Sequence, residues 1–257
     1  MKPIFKPQTE WLPPESFPDL SKYDEIAIDL ETKDPELKTM GSGSVTGKGN
    51  IVGIAVAVHN WKGYYPIAHE GGGNMDKSMV LKWFQDVLNT EATKIFHNAM
   101  YDVCFIKATG LNISGEIVDT MIAGSLVDEN RFRYDLGSMG RDYLGIGKNE
   151  AVLKETADLW GVDAKSEMYK LPAMYVGEYA EQDAELTLKL WQEMKKQMYH
   201  EDVEDIFKLE TELFPCLVDM RFLGVRVDTE AAYELKQQLL TEEKECLHKV
   251  KKETSID

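Results

Sequence analysis

The sequence predicts an α/β fold, built on a mixed sheet of antiparallel and parallel strands that is flanked by helices and followed by C-terminal helices. Apolar, β-branched runs come close together in the first third of the chain, which is typical of consecutive strands with an antiparallel part. Short strand patterns then alternate with helical patterns, which is typical of a parallel part. After about residue 175 the apolar spacing is helical only.

Two stretches near the start are predicted to lack helices and strands. Residues 1–22 are rich in proline, which predicts an extended arm, and we expect this arm to pack on the domain through Trp11. Residues 33–50 are polar and rich in glycine, and residues 41–49 superficially resemble a phosphate-binding loop. They lack the first glycine of that motif and the Ser or Thr after its lysine, so we expect a flexible turn there.

The first predicted strand covers residues 26–32 and carries two acids near its end. Because side chains alternate between the faces of a strand, Asp29 and Glu31 point the same way. Two carboxylates held that close repel each other, and a divalent cation between them removes the repulsion. We interpret this strand end as half of a metal site. For this motif alone, an acidic strand end that leads into a polar loop is the alternative.

The remaining elements follow from the spacing of apolar residues. Residues 51–58 and 63–68 predict two further strands paired as a hairpin. Short strands are also predicted at 94–96 and 116–119, each followed by a helical pattern. The predicted helices cover residues 75–88, 97–106, 175–199 and 202–222, and others begin near residues 120, 135 and 154.

Composition limits the kind of protein. The formal net charge is −16, and affinity for nucleic acid comes from neutralised phosphates, so any contact with nucleic acid must be local or made through metal ions. The three cysteines are far apart and have neither the spacing of a metal site nor that of a disulfide framework. This favours a reducing, cytoplasmic setting. No apolar run has the length of a membrane span, so we expect no membrane partner.

Two more pairs of polar side chains are separated by four residues within predicted helices. Asn98 and Asp102 would share a face at the start of one helix, although Asn98 alone also suits a helix cap. Tyr179 and Asp183 would place a phenol one turn from a carboxylate, although a solvated acidic face is the alternative. Together with the acidic pair on the first strand, these pairs supply four acids that could converge on one site.

Taken in chain order, the three motifs resemble those of the DEDD 3′-5′ exonucleases, in the subclass whose third motif begins with tyrosine. The resemblance covers about residues 22–200 and includes the connecting segments at 117–120, 134–136 and 143–145. It implies a ribonuclease H-like fold. It also implies a nuclease that hydrolyses phosphodiester bonds at the 3′ end of single-stranded or frayed DNA.

The end of the chain resembles a different part of the same proteins. Residues 209–215 and 220–228 look like the passage from the proofreading domain into the polymerase domain of family A DNA polymerases, bacterial or phage. This implies an arm at 1–22, an exonuclease domain at 23–200 and a truncated, helical polymerase start at 201–257. The implied partners are the 3′ end of single-stranded DNA and the rest of the polymerase polypeptide, and we expect a monomer.

The resemblance also implies a mechanism that uses two divalent cations, Mg²⁺ or Mn²⁺, which prefer oxygen ligands. Asp29 would bridge both ions. Glu31 and Asp183 would complete the site that holds the attacking water, and Asp102 would support the second ion, largely through water. Tyr179 has no formal charge, so we expect it to orient the water rather than to bind metal.

Further candidate residues concern contacts with the substrate. Thr32 and Asn98 would help to position the strand end. Tyr101 and Tyr134 would stack on frayed bases, and packing in the domain is the alternative for both rings. His97 directly precedes the second motif, and we expect it to be an end-of-strand residue outside the catalytic set.

Two other functions compete with this interpretation. An RNase D-like exoribonuclease would use the same four acids on RNA, but residues 205–257 resemble a polymerase entry and not an RNA-binding helical module. A non-catalytic, exonuclease-like module that binds nucleic acid is the second alternative. Inert descendants of enzymes usually lack at least one catalytic group, whereas all four carboxylates are present in this chain.

Overall fold

The sheet in the computed structural model, which describes residues 8–254, lies at the centre of the fold. Its strands are β1 (Glu25–Lys33), β2 (Asn50–Val58), β3 (Trp61–Pro66), β4 (Thr93–Phe96) and β5 (Ile117–Asp119). Their order is β3-β2-β1-β4-β5. The pairs β1–β2 and β2–β3 are antiparallel, whereas β1–β4 and β4–β5 are parallel. The predicted mixed sheet is confirmed, and the strand that carries the first two acids is its central strand.

Helices follow the strands in the predicted order, except that residues 33–50, predicted to lack helices, contain two short ones. They are α1 (Leu37–Met40), α2 (Gly43–Thr46), α3 (Lys77–Leu88), α4 (Ala99–Ala108), α5 (Thr120–Val127), α6 (Leu136–Leu144), α7 (Ala151–Trp160), α8 (Gly177–Glu201), α9 (Glu204–Leu223) and α10 (Thr229–Thr254). Two 3₁₀ turns, Met168–Lys170 and Ala173–Tyr175, precede α8. Most boundaries lie within two residues of the predicted ones, and α7 begins three residues earlier than predicted.

Helix α8 packs across β1, β2 and β3 and determines which face of the sheet carries the site. Ala27 on β1 and Ala180 and Ala184 on α8 are fully buried in one hydrophobic cluster, and these small side chains let the helix lie close to the sheet. Asp29 and Glu31 share the face of Ala27, since side chains alternate along a strand. The two acids therefore face α8.

The segment at residues 41–49, predicted to be a flexible turn, is folded against the domain. The Asp34 carboxylate accepts hydrogen bonds from the Gly43 N–H at 3.0 and 3.1 Å, and the Gly49 N–H donates to the Gly43 carbonyl at 3.1 Å. A Cβ on Gly43 would lie 2.5 Å from the Gly49 nitrogen, so only glycine fits. The prediction was wrong because these glycines permit close backbone packing and do not serve flexibility.

The described part of the N-terminal arm is anchored by Trp11, as predicted. Its indole N–H donates to Glu181 Oε1 at 2.9 Å, and the same oxygen accepts from the Tyr64 N–H at 3.1 Å. A Cβ on Gly177 would lie 2.0 Å from the indole ring, so this glycine makes room for Trp11 at the start of α8. Residues 1–7 of the predicted arm lie outside the described residues.

The chain divides into two compact units between Asp219 and Met220. The first unit contains the sheet, α1 to α8 and most of α9, and the second contains the end of α9 and α10. The limits predicted at 22/23 and 200/201 mark differences in sequence and stay predictions. Within residues 8–254, no helix has the length and apolar character needed to cross a membrane.

Candidate active site

Asp29 and Glu31 lie on β1, half-buried, on the face toward α8. Burial raises the pKa of Asp29 to about 7, and the negative charge of Asp183 on α8 adds to this rise. Burial also raises the pKa of Glu31 well above its usual range, and the charges of Asp29 and Asp183 raise it further. Because charge effects of this kind require proximity, the acids of β1 and α8 belong to one site.

Asp102, in the first turn of α4, joins these acids from the side of β4. Parallel pairing between β1 and β4 covers only Glu25–Ala27 on β1, so the Leu30 N–H remains available and donates to Asp102 Oδ1 at 3.1 Å. The side chain is buried, and burial followed by the charge of Asp29 raises its pKa well above the usual range. Below, "carboxylate cluster" means Asp29, Glu31, Asp102 and Asp183.

The expectation that Asn98 shares a helical face with Asp102 was wrong. Helix α4 begins at Ala99, and Asn98 has a left-handed backbone with φ of 66° and makes no side-chain capping bond. The cap comes instead from Asp119, whose carboxylate accepts from the N–H groups of Asn98 at 2.9 Å and of Ala99 at 2.7 Å. It also caps α5 through the Met121 N–H at 2.8 Å. Asn98 is exposed at the end of β4, where it could contact a substrate.

Tyr179 and Asp183 lie in the first half of α8, near the acids of β1, and a lysine joins them. Lys148 Nζ lies 2.5 Å from Asp183 Oδ2, donates to the Tyr179 hydroxyl at 3.1 Å and lies 4.7 Å from the centre of the Tyr179 ring. Asp183 is 4% exposed. Burial, followed by the charge of Asp183, raises the pKa of Tyr179 far above its usual range, so the phenol stays neutral.

Thr32 and Tyr101 meet at the other side of the cluster. The Thr32 hydroxyl and the Tyr101 hydroxyl are 2.8 Å apart, and the Tyr101 hydroxyl donates to Asp34 Oδ2 at 3.2 Å. Since a phenol has a single proton, Tyr101 accepts from Thr32 when it donates to Asp34. Asp34 also binds the backbone of Gly43, so the two predicted substrate-binding residues are tied to the folded segment at 41–49.

Two weaker candidates have structural partners. The Tyr134 hydroxyl donates to the Asp128 carbonyl at 2.7 Å, and its ring packs against the hydrophobic cluster, which favours packing over base stacking. His97 directly follows β4, as predicted, and its Nδ1 lies 2.9 Å from the Thr120 hydroxyl. Burial lowers the pKa of His97 to about 4, so its ring is neutral near pH 7.

Sequence reasoning missed three residues that the structure brings to the site: Lys148, Gln182 and Asp34. Lys148 lies in the loop between α6 and α7, which carries no recognised motif. Gln182 directly precedes Asp183, and its side chain binds that loop at two backbone groups. The sequence shows Gln182 beside the third motif, but it does not show which residues Gln182 contacts, because the loop is more than thirty residues away along the chain.

The carboxylate cluster suits hard divalent cations, because all its donor atoms are oxygens. Within the described residues, Asp183 Oδ1 is buried and has no hydrogen-bond partner. A buried anionic oxygen is costly unless a positive group completes its contacts, so this atom fits a metal ligand. Nowhere in residues 8–254 are three acidic, His or Cys side chains already arranged as a metal site.

Solved structures with this fold include nucleases. The chain is similar to Brucella melitensis NrnC with bound Mg²⁺, with a TM-score of 0.57 and 15% identity over 80% of this chain and 89% of that one. It is also similar to Escherichia coli RNase D, described as an exoribonuclease involved in structured RNA processing, with a TM-score of 0.52 and 16% identity over 80% of this chain and 47% of that one. These likenesses concern the fold alone, and they confirm the predicted ribonuclease H-like, mixed α/β fold.

Sequence relatives are DNA polymerases of phages and bacteria. The chain is 32% identical to the DNA-directed DNA polymerase of Pseudomonas phage M6, over 95% of this chain and 38% of the polymerase. It is 27% identical to DNA polymerase I of Chloroflexus aurantiacus, over 72% of this chain and 20% of that protein. The chain thus spans well under half the length of these relatives. Residues 6–199 match the family model of the 3′-5′ exonuclease domain of family A DNA polymerases, and the chain belongs to this family.

Proposed function

We propose that this chain is a two-metal-ion 3′-5′ exonuclease that removes nucleotides from the 3′ end of single-stranded or frayed DNA, as the proofreading part of a DNA polymerase. The observation that carries the proposal is the convergence of the carboxylate cluster from β1, α4 and α8. Gathering buried acids is unfavourable for folding, as the raised pKa values of all four indicate. Chemistry that needs concentrated negative charge explains their retention.

The carboxylate cluster would hold two divalent ions, Mg²⁺ or Mn²⁺. When bound, such ions lower the pKa of a water molecule and stabilise negative charge on the attacking and leaving oxygens. Asp29 is the candidate for the shared ligand, because its charge raises the pKa of both Glu31 and Asp102 and its own pKa responds to Asp183. The Mg²⁺ bound to the Brucella structural relative supports the choice of metal.

Tyr179 would orient the attacking water. Its phenol is neutral because burial raises its pKa, and its oxygen already accepts a hydrogen bond from Lys148 at 3.1 Å. This contact fixes the ring, while the phenolic hydrogen can point to another acceptor. A positioned neutral hydroxyl can hold a water in line with a phosphorus atom without drawing a ligand away from a metal ion.

Thr32, Tyr101 and Asn98 would contact the terminal nucleotide. The 2.8 Å hydrogen bond between Thr32 and Tyr101 holds the Tyr101 ring beside the end of β1, where a base could stack on it. Asn98 is exposed and its left-handed backbone directs the chain sharply from β4 into α4. All three residues surround the same end of the sheet as the carboxylate cluster.

The polymerase relatives support DNA over RNA as the substrate. The phage polymerase aligns with 95% of this chain, whereas the likeness to RNase D is one of fold at 16% identity. We propose that the domain works beside the rest of a polymerase polypeptide, in the cytoplasm of a bacterial cell or a phage-infected host, and that it is itself monomeric. No polymerase activity is assigned to these residues.

A degradation assay on labelled oligonucleotides tests the proposal. The purified chain is incubated with 5′-labelled single-stranded DNA, with the matched RNA and with DNA whose 3′ terminal linkage is a phosphorothioate, each in Mg²⁺, Mn²⁺ or EDTA. We expect a ladder that shortens from the 3′ end of the DNA, requires divalent metal and is slowed by the phosphorothioate.

Other outcomes would contradict the proposal in distinguishable ways. Faster digestion of RNA than of DNA would assign the chain to the RNase D-like alternative. Binding of single-stranded DNA without any metal-dependent shortening would assign it to the non-catalytic alternative. Shortening of the DNA that persists in EDTA would contradict the two-metal mechanism.

A further inference from the structure

Lys148 is a charged residue held inside the site, although no catalytic motif includes it. Its ammonium lies 2.5 Å from Asp183 Oδ2 and 3.1 Å from the Tyr179 hydroxyl. Its side chain is 16% exposed, whereas surface lysines usually extend into solvent. A lysine on an open loop would be expected to point outward, so its inward direction requires an explanation.

The loop that carries Lys148 is fastened to α8. Gln182 Oε1 accepts from the Asn149 N–H at 2.8 Å, and Gln182 Nε2 donates to the Gly147 carbonyl at 3.3 Å. The peptide groups on both sides of Lys148 are therefore held by the residue that precedes Asp183. This clamp fixes the distance between the lysine and its carboxylate partner, so the ion pair is part of the architecture of the site.

The charge of Lys148 acts on most of the carboxylate cluster. Burial and mutual repulsion raise the pKa values of Asp29 and Glu31, and the Lys148 charge opposes this rise in both. Burial also raises the pKa of Asp183, and the same ammonium opposes that rise through its charge and its hydrogen bond. One lysine thus faces acids from two different elements, β1 and α8.

We propose that Lys148 is the internal counter-cation of the carboxylate cluster: its ammonium holds Asp183 in place until divalent ions bind, and the ions compete with it for that carboxylate. The inference rests on the proposed function for the identity of those ions. One oxygen of Asp183 already binds Lys148, and the other is buried without a partner in the described residues. A divalent ion on the second oxygen would repel the ammonium at short range, which is the physical basis of the competition.

Replacing the ammonium with an apolar side chain of similar length separates this role from packing. In Lys148→Met, Asp29, Glu31 and Asp183 lose the positive charge that opposes their mutual repulsion. In EDTA, the variant should therefore unfold at a temperature lower by about 3 °C or more at pH 8. Saturating Mg²⁺ should close most of this gap. The dissociation constant for Mn²⁺ should fall by about threefold or more, because the competing cation has gone.

Thermal unfolding in EDTA and in saturating Mg²⁺, together with calorimetric titration of Mn²⁺, provides the test. Lys196→Met is the matched control, since Lys196 forms an ion pair with Glu193 on α8 at 2.9 Å but is 67% exposed. It should leave the unfolding temperature and the metal affinity close to those of the unmodified chain. Lys148→Arg keeps the charge and should restore much of the stability in EDTA.

Either of two results would overturn the inference: Lys148→Met in EDTA is no less stable than Lys196→Met, or Lys148→Met binds Mn²⁺ more weakly than the unmodified chain. These outcomes leave metal-dependent degradation of DNA by the unmodified chain untouched. Conversely, if the unmodified chain neither binds Mn²⁺ nor degrades DNA, the proposed function fails. The comparison of unfolding in EDTA still decides whether Lys148 stabilises the cluster.

Discussion

Strand β1 carries carboxylates toward both ends, and, within residues 8–254, helix α8 supplies hydrogen-bond donors to only one of these groups. At the start of the strand, Glu25 accepts from the Trp191 indole at 3.0 Å and from Lys195 Nζ at 2.6 Å, and it also accepts from Gln192. Burial raises the pKa of Glu25, but these hydrogen bonds outweigh burial and hold its pKa below the usual range. Three donors serve one acid there.

Toward the opposite end of the strand, acids outnumber the positively charged donors. Asp29 and Glu31 meet Asp102 and Asp183, and Lys148 is the cation that opposes the rise of their pKa values. Both ends pair the same strand with the same helix, so the difference lies in the side chains and not in the backbone. A carboxylate supplied with several donors stabilises the fold, whereas a group of carboxylates short of donors remains available to bind cations.

Asp29→Ala should have the largest effect on hydrolysis. Both proposed ions would lose their shared anionic ligand, and several kcal/mol of transition-state stabilisation correspond to a fall of about 10³-fold or more in single-turnover rate. The free energy of unfolding in EDTA should stay the same or increase, because one of four repelling acids has been removed. Single-turnover kinetics measure the rate, and urea unfolding measures the free energy of unfolding. If Asp29→Ala lost both activity and stability, Asp29 would be a structural acid like Glu25.

Tyr179→Phe should have the next largest effect. It removes only the hydroxyl, so the rate should fall by about 10²-fold if the phenol positions the water. Affinity for Mn²⁺ should be retained, because the carboxylate cluster is complete. Calorimetric titration beside single-turnover kinetics checks both expectations. Loss of Mn²⁺ binding would show that Tyr179 is a metal ligand. An unchanged rate would show that its ring serves only in packing.

The sequence was most informative where function requires fixed residue types at short spacing. The two acids of β1 could be placed on one face because side chains alternate between the faces of a strand. Ala27 lies on that same face, and its burial shows that the face is covered. Asn98 was misplaced because spacing of four residues predicts a shared face only inside a helix, and α4 begins one residue later. The positive φ of Asn98, 66°, places this residue outside the helix.

Lys148 and Asp34 could not be predicted, because their roles depend on contacts between distant segments. Lys148 meets Tyr179 across 31 positions in the chain, and Asp34 meets Tyr101 across 67. No periodic pattern connects such residues. The folded segment at 41–49 was missed for a related reason, since glycine allows close backbone contact as readily as it allows flexibility.

The packing behind Glu31 gives a pH-dependent prediction. His69 Nε2 lies 2.6 Å from the Tyr64 hydroxyl, and a Cβ on Gly53, which pairs with Glu31, would lie 2.0 Å from that hydroxyl. Burial lowers the pKa of His69 from 6.5 to about 4. The unfolded chain therefore binds more protons than the folded one between these values, and stability falls as the pH falls through this window.

The expected contribution of His69 is about 2 kcal/mol of lost unfolding free energy between pH 7 and pH 5. Urea unfolding of His69→Gln should have a shallower dependence on pH over this range than the unmodified chain. His59→Gln is the control, because His59 is exposed on the turn between β2 and β3. Equal pH dependence in the His69 and His59 variants would mean that folding does not lower the pKa of His69.

Glu25→Ala should have the smallest effect and the opposite character to Asp29→Ala. It leaves the Trp191 indole and Lys195 without their carboxylate, and we expect a loss of about 1 to 2 kcal/mol in unfolding free energy. Hydrolysis should remain close to normal at temperatures well below unfolding, because Glu25 lies at the far end of β1 from the carboxylate cluster. Glu193→Ala is the matched control, since its partner Lys196 on α8 is 67% exposed and a surface pair contributes little. If Glu25→Ala slowed hydrolysis as strongly as Asp29→Ala, or destabilised the chain no more than Glu193→Ala, the two ends of β1 would not differ in the way their hydrogen bonds indicate.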